Sequence, residues 1–300
     1  MSPISENTKK LLAGLRSDNA DVRYAAWARG GEMEPDAIPE LAKLLTAEQP
    51  GARRAADEAL QKLVHSAGKE PGGERRAAVS RGLAGLAGDT QPEGVRAIAL
   101  RHLSLVGGDE CVPVAAKLLR DPKLQEEAIF CLERIPGKAS SAAIMQAYDG
   151  VKDHFKPRIL AALGHRRVEE ATEMCAAAMN SKNPDIAIAG FRALARIGEK
   201  PAAGLRPPRA EPLNAWQKFD HTDSLLRYAD EQVKRGNPQD ALKIYKDLLQ
   251  REEEHVQCAA IIGLSKTGTP EAAAAIFPKL KSDNHTVRIT AAKAWDAMKG

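Results

Sequence analysis

The stretch that decides the fold is SDNADVRYAAWA at residues 17–28, because the chain nearly repeats it as SDNHTVRITAAKAW at residues 282–295. Both copies open with S-D-N-x-x-V-R and continue as an alanine-rich run with a tryptophan. Asp, Asn and Ser supply oxygen atoms for the free amides of a helix N-terminus, and alanine is the best helix former. Each copy therefore predicts a polar turn followed by a helix, and the repetition predicts equivalent helical units.

Apolar residues equivalent to the valine of this phrase recur along the chain and set a period. Phe155 and Ile186 lie 31 positions apart, as do Val256 and Val287. The whole series is Val22, Ala52, Val95, Leu124, Phe155, Ile186, Val256 and Val287. Each unit reads as a first helix, a short polar turn and a second helix that usually stops at glycine, the residue that best tolerates a left-handed cap. A lone helix pair cannot bury its apolar face, so we expect stacked pairs.

The period, the D-x-x-V-R turn and the A-x-x-A-L-x-x-I-G helix ending resemble HEAT-like repeats, in particular the alanine-rich arrays of planctomycete and verrucomicrobial bacteria. The resemblance covers roughly residues 5–198 and 238–299. It implies an all-α fold, namely a right-handed α-solenoid of about eight helix pairs with one irregular insertion. It also implies an interaction platform, although a fold of this kind says little about function by itself.

The same resemblance assigns a structural role to the polar residues of the turns. Aspartates and arginines are expected to form a hydrogen-bonding ladder between neighbouring turns, and the valines of the two opening phrases are expected to point into the core. An arginine near a helix N-terminus opposes the helix dipole, so it should need an acidic partner. The residues assigned to the ladder are Asp18, Arg23, Arg96, Asp283 and Arg288.

Residues 199–221 interrupt the repeat. Four prolines lie between residues 201 and 212 and exclude a regular helix across the first half of this segment. We therefore expect six repeats in residues 1–198, a proline-rich insertion in residues 199–221, and an extra helix plus repeats seven and eight in residues 222–300, all in one continuous solenoid. Residues 222–251 also resemble a single tetratricopeptide-like helix pair.

Two interpretations of the insertion follow from its aromatic residues. In the first, Trp216 and Phe219 plug a seam between two parts of the stack. This is the interpretation that the sequence favours, because a long connection in a packed array usually covers a core or is mobile. In the second, the insertion forms a lip over the groove, where Trp216, Phe219, Arg206 and Arg209 contact a partner, since aromatic and arginine anchors dominate interface energetics.

Positions six residues after each member of the apolar series are expected to line the concave side. They are Ala28, Glu58, Arg101, Phe130, Ala161, Arg192, Ile262 and Lys293. Arg101, Arg192 and Arg196, which lies one turn after Arg192, are candidate partner-binding residues. The eight concave positions include three basic residues and one acidic residue, which do not form a continuous cationic stripe. The net charge of the chain is only +4. Binding to nucleic acid through these patches is therefore an unfavoured alternative.

The sequence offers few residues for catalysis. None of the seven histidines precedes a glutamate, so the paired iron ligands of deoxyhypusine hydroxylase are absent, and the histidines are scattered. The four cysteines (Cys111, Cys131, Cys175 and Cys258) form no CxxC pair, lie on apolar helical stripes and are expected to be buried thiols. We predict no catalytic residue, no metal and no cofactor. An enzyme or enzyme subunit of the HEAT-like phycobilin lyase type stays an alternative.

The predicted function is therefore a non-catalytic scaffold or adaptor that binds a protein or peptide partner on its concave side. The apolar runs fall far short of the roughly 20 residues that span a bilayer. As given, the chain is expected to be a cytoplasmic monomer without membrane contact, or periplasmic or secreted if a leader was removed.

Overall fold

The computed structural model describes residues 4–88, 90–208 and 213–299, and every regular element in these ranges is helical. The described ranges form seventeen α-helices in sequence, with short 3-10 turns between some of them. The chain divides into two compact units, Met1–Lys152 and Asp153–Gly300. The predicted all-α fold is confirmed. In the described ranges, each helix is too short or too polar to cross a bilayer.

The described residues of the first unit form nine α-helices. They are α1 (Glu6–Leu15), α2 (Ala20–Ala28), α3 (Ile38–Leu45), α4 (Pro50–Gly68), α5 (Glu74–Leu86), α6 (Glu93–Val106), α7 (Val112–Leu118), α8 (Gln125–Arg134) and α9 (Lys138–Ala147). The second helices of successive pairs form a row, in which α2 packs on α4, α4 on α6 and α6 on α8. Leucines fill the space between this row and the first helices, and Leu60, Leu83 and Leu100 are completely buried.

The described residues of the second unit form eight α-helices. They are α10 (Lys156–His165), α11 (Thr172–Ala178), α12 (Pro184–Ile197), α13 (Ala215–Lys234), α14 (Pro238–Leu248), α15 (Glu254–Thr267), α16 (Pro270–Ile276) and α17 (His285–Ala297). Helix α10 packs on α12, and α15 packs on α17. Helix α13 packs on both α12 and α15, so it stands between two second helices. A buried cluster with members from α13 to α17, among them Tyr245 and Ile261, forms the C-terminal part of the core.

The polar turns start the second helices in the way that the repeated phrase predicts. The side chains of Asn19, Asn183 and Asn284 each accept hydrogen bonds from amides of the first turn of the following helix. Two second helices, α12 and α15, end at the left-handed glycines Gly198 and Gly268. Asparagine caps and glycine stops therefore fix the helix boundaries locally, before any long-range contact forms.

The arginines that follow the turns differ from the predicted ladder. Arg23 donates from Nη1 to the carbonyl oxygens five and six positions earlier, over 2.9 and 2.7 Å. Arg53 does the same over 3.2 and 2.8 Å, and Arg288 also binds the carbonyls five and six positions before it. Each guanidinium thus closes its own turn. The expected acidic partner is unnecessary for Arg23 and Arg288, because the carbonyl oxygens of the turn already supply partial negative charge.

Contacts between neighbouring turns agree with the ladder at other positions. The carboxylate of Asp18 accepts a hydrogen bond of 2.9 Å from Gln49 in the next turn. Arg96 lies 3.6 Å from the carboxylate of Asp121, again in the next turn. Asp283 contributes its backbone carbonyl to Arg288 within its own turn, so this contact does not link neighbouring turns. The ladder therefore uses amide and acidic side chains of mixed type instead of one repeated Asp–Arg pair.

The two valines of the repeated phrase have different environments. Val287 is buried, as expected, but 45% of Val22 is exposed. The prediction that Val22 points into the core is wrong. Its Cγ1 atom lies beside Gly14 of α1, at 4.0 Å from where a β-carbon of that glycine would be. Because glycine has no side chain, α1 leaves this valine partly uncovered.

Candidate interaction surface

Trp216 and Phe219 lie in the first turns of α13 and point to solvent. The side chain of Asn214 accepts a hydrogen bond from the amide of Gln217, and the side chain of Gln217 accepts one from the amide of Asn214. This capping box starts the helix at Ala215. The extra helix predicted to begin at residue 222 therefore begins earlier, and both aromatic residues belong to the helix instead of the proline-rich segment.

The exposure of this pair decides between the two interpretations of the insertion. Trp216 is 68% exposed and Phe219 is 60% exposed. Their rings are stacked, with centroids 6.1 Å apart and planes inclined by 24°. The interpretation as a plug is wrong, because a plug must be covered by the elements that it seals. Both rings are exposed because α13 is oriented with its polar face towards α12.

Hydrogen bonds to α12 fix this orientation. The side chain of Gln217 donates to the carboxylate of Asp185 over 2.8 Å, and one turn later Asp220 pairs with Arg192 over 3.3 Å. Further along, the side chain of Gln232 donates to the carbonyl of Gly198 over 2.7 Å. Buried polar groups must find partners, so these contacts determine which side of α13 faces inwards.

The ion pair of Asp220 and Arg192 is largely buried. The side chain of Asp220 is 10% exposed and that of Arg192 is 33% exposed. Burial raises the pKa of Asp220 above its ordinary value, although the charge of Arg192 opposes that change. The Nε atom of Arg192 is buried and has no hydrogen-bond partner in the described part of the chain. The charge of Arg192 is therefore largely neutralised by Asp220 within the fold.

Arg196 lies one helical turn after Arg192 and differs from it. The side chain makes no hydrogen bond or ion pair with any described residue. Burial lowers its pKa, and the neighbouring charges of Arg227 and Arg192 lower it further. Asp220 and Asp223 are near enough to offset part of this repulsion. The half-buried guanidinium of Arg196 lies near those of Arg192 and Arg227, and its positive charge is only partly neutralised. A carboxylate from a binding partner would therefore be attracted to it.

A groove of about 360 Å³ continues the surface between α13 and α15. Its charged residues are already paired: Arg227 lies 3.2 Å from Asp223, and Lys266 lies 3.3 Å from Asp230. Ile262 also lines the groove and is 48% exposed. We define the α13 surface as Arg192, Arg196, Trp216, Phe219, Asp223, Arg227 and Ile262. It is apolar at the start of α13 and ionic further along.

The structure brings together some predicted partner-binding residues and not others. Trp216, Phe219, Arg192 and Arg196 belong to elements of the second unit that pack on each other. Arg101 belongs to the first unit, where it pairs with Glu127 over 3.2 Å.

The two arginines of the proline-rich segment complete the set of candidates. Arg206 is exposed, whereas Arg209 lies outside the described residues. The sequence reasoning missed Asp220, Asp223 and Arg227, although their spacing along one helix was a usable signal.

Cysteines and possible metal ligands are the other reactive groups of the described ranges. No group of three His, Cys, Asp or Glu side chains there could hold a metal ion. Cys111, Cys131 and Cys175 are buried as expected, and Cys258 is half-buried. Burial raises the pKa of Cys131 and of Cys175 to about 12, so these thiols stay protonated and unreactive at neutral pH.

Comparison with known proteins identifies no family. No family model matches the chain, and no curated protein matches it. Among solved structures, the chain is similar to the crystal structure of an engineered protein from a structural genomics consortium. The two are 19% identical, the match covers 98% of this chain and 89% of the other, and the TM-score is 0.48.

Proposed function

We propose that the chain is a HEAT-like repeat protein that acts as a non-catalytic scaffold and binds a peptide segment of a protein partner on the α13 surface. The observation that carries this proposal is the stacked and exposed pair of Trp216 and Phe219. Large exposed apolar side chains that adjoin each other are uncommon on monomers and often mark interaction sites. The right-handed solenoid of about eight pairs stays a prediction from the sequence.

The chemistry of the surface indicates the kind of peptide. Trp216 and Phe219 offer a flat apolar area, against which an apolar or aromatic side chain gains contact at little entropic cost. Arg196 offers a charge without a partner in the described chain. A matching segment therefore carries an apolar anchor and a nearby Asp or Glu. The paired charges of Arg227 and Asp223 fit the polar rim of such an interface.

A peptide array separates this proposal from its alternatives. The wild-type protein is incubated with random peptides, and the bound peptides are compared with those retained by a Trp216→Ala, Phe219→Ala double variant. We expect wild type to select peptides with an apolar residue close to a carboxylate. The double variant should lose most of this signal. Ile289→Ala is the matched control, because Ile289 is an exposed apolar residue of α17 outside the α13 surface.

A second variant tests the charge preference. Arg196→Gln should keep binding to the apolar anchor and weaken selection for the adjacent Asp or Glu. Equal peptide capture by wild type and by the aromatic double variant would overturn the proposal. Capture that depends only on total negative charge, with no dependence on the aromatic pair, would also contradict it.

A further inference from the structure

A second cavity lies on another side of α13, between that helix, α14 and the extended segment at residues 200–207. Its volume is about 400 Å³. Small-molecule sites occupy about 300–1,000 Å³ and are mostly apolar with a few polar groups. The apolar part of the wall consists of Leu205, Pro207, Leu225 and Ile244. None of these residues belongs to the α13 surface.

The extended segment is fastened at both ends, so this wall is a fixed part of the fold. Near its start, Lys200 donates to both carboxylate oxygens of Asp240, over 3.0 and 2.9 Å. Near its end, the carbonyl of Pro208 lies 3.0 Å from Nε2 of the buried His221. The ring of His221 packs in turn against Phe191 of α12, with centroids 5.4 Å apart.

Tyr228 places a polar group at the cavity. Its side chain lines the cavity and the residue is only 2% exposed. Among the described residues, its hydroxyl has no hydrogen-bond partner. Burial, together with the charges of Asp240 and Glu199, raises the pKa of Tyr228 to about 12, so the hydroxyl keeps its proton. The hydroxyl oxygen is not one of the fully buried side-chain atoms that lack a partner, so it reaches the open space of the cavity and can donate a hydrogen bond to a ligand there.

Two charged residues of α14 complete the lining. Lys243 and Asp247 lie one helical turn apart and both line the cavity. Neither makes an ion pair or a side-chain hydrogen bond with a described residue, whereas Lys200 and Asp240 satisfy each other. The cavity therefore presents one ammonium and one carboxylate that are available to a ligand.

We infer that this cavity binds a small zwitterion with an apolar side chain, of the class of free apolar amino acids. Lys243 and the hydroxyl of Tyr228 bind the carboxylate of the ligand. Asp247 binds its ammonium group, and the apolar wall of Leu225, Ile244 and Pro207 accepts its side chain. This inference does not rest on the peptide surface proposed above, because the two sites share no residue.

The experiment is calorimetric titration of the full chain with L-leucine and three analogues. 4-Methylpentanoate lacks the ammonium group, 3-methylbutylamine lacks the carboxylate, and glycine lacks the apolar side chain. We expect leucine to bind and each analogue to bind at least about tenfold more weakly. Every analogue leaves a charged or apolar group of the site without a partner.

Three variants locate the site. Tyr228→Phe removes only the hydroxyl and should weaken leucine binding about tenfold, as expected for a hydrogen bond to a charged group. Its unfolding transition should match wild type, because the hydroxyl has no partner to lose. Lys243→Met and Asp247→Asn should weaken leucine binding similarly, while Lys246→Met on the same helix, outside the cavity lining, should not.

The possible results all decide the inference. Absence of leucine binding to wild type at millimolar concentrations overturns it. So does leucine binding that Tyr228→Phe and Lys243→Met leave unchanged, because the ligand then lies elsewhere. Binding of 4-methylpentanoate as tight as that of leucine overturns the zwitterion as the ligand class. Unchanged leucine binding by the Trp216→Ala, Phe219→Ala variant is expected and separates this site from the peptide surface.

Discussion

The ring of Tyr245 on α14 lies directly against the backbone of Gly263 on α15. A β-carbon placed at Gly263 would come within 2.2 Å of Cε1 of that ring. The ring is held in this position, because Tyr245 is completely buried and its hydroxyl donates to Asp230 of α13 over 2.8 Å. One missing side chain thus lets three consecutive helices of the second unit meet around a single tyrosine.

Gly263→Ala should therefore destabilise the protein, even though alanine is the better helix former. Overpacking of a well-packed core costs about 1–3 kcal/mol, while the gain in helix propensity is at most about 1 kcal/mol. We expect the free energy of unfolding in urea to fall by about 1–2 kcal/mol. Gly85→Ala is the control, because a β-carbon at Gly85 on α5 would meet nothing within 4 Å. A stabilised Gly263→Ala variant would contradict this packing.

Glu231 gives the second unit a dependence on pH. Burial would raise the pKa of Glu231, but the hydrogen bonds of Arg167 and Lys234 outweigh that effect and hold the pKa below its ordinary value of 4.5. Arg167 reaches both carboxylate oxygens, over 3.1 and 3.3 Å. Because the folded-state pKa is the lower one, ionised Glu231 stabilises the fold above about pH 4.5. This stabilisation is lost as the pH falls through the folded-state pKa.

Glu231→Gln should consequently be less stable than wild type at neutral pH, by about 1–3 kcal/mol. The difference should shrink as the pH falls through the folded-state pKa, which lies below 4.5, because the wild-type carboxylate then becomes protonated. Urea unfolding of wild type and Glu231→Gln, from neutral to acidic pH, measures this difference in the free energy of unfolding. Glu252→Gln is the control, because Glu252 is exposed and has no ion pair with a described residue. A difference that is independent of pH would contradict the ionic role of Glu231.

The helices could be predicted from the sequence because their limits are set locally. Asparagine caps at Asn19 and Asn284 and left-handed glycines at Gly198 and Gly268 mark where helices start and stop. The sequence places the start of α13 at residue 222 instead of Ala215, because the prolines before it direct attention away from the capping box at Asn214. The division into two units near residue 152 falls within the regular 31-residue spacing of Leu124, Phe155 and Ile186, so the period does not mark it.

The candidate site was less predictable, because it depends on pairing between distant residues. Spacing alone makes Trp216 and Phe219 neighbours, but the exposure of both follows from Gln217 binding Asp185 and from Asp220 binding Arg192. The separation of Arg192, which is paired, from Arg196, which has no described partner, is equally a tertiary property. Sequence periodicity identified the helix face and could not show which charges on it were already neutralised.

Arg288→Ala tests the role of the arginines that close the turns. Arg288 binds the carbonyls of Ser282 and Asp283, so its loss leaves two acceptors at the entry to α17 without that partner. We expect the free energy of unfolding to fall by about 1 kcal/mol. Lys293→Ala on the exposed side of α17 removes the same charge and should change it by less than about 0.5 kcal/mol. Equal effects of both variants would mean that only charge matters. Peptide or ligand affinity should stay unchanged in both.

Trp216→Ala separates stability from binding. Because Trp216 is 68% exposed, its loss should change the free energy of unfolding by no more than about 0.5 kcal/mol. Trp295→Ala is the matched contrast, since Trp295 is half-buried, packs on the C-terminal core and contacts Phe277 at a centroid distance of 5.4 Å. That variant should lose about 1–3 kcal/mol, less than a fully buried tryptophan.

Peptide affinity should fall more in Trp216→Ala than in Trp295→Ala, which is the reverse of their expected effects on stability. Truncation of an aromatic anchor typically costs about 2 kcal/mol or more of binding free energy, so Trp216→Ala should weaken binding of array-selected peptides at least about tenfold. Trp295→Ala should bind those peptides normally at temperatures where it is folded. If Trp216→Ala instead melts early and the folded fraction binds as wild type does, Trp216 supports the fold, and the α13 surface loses its anchor as a binding site.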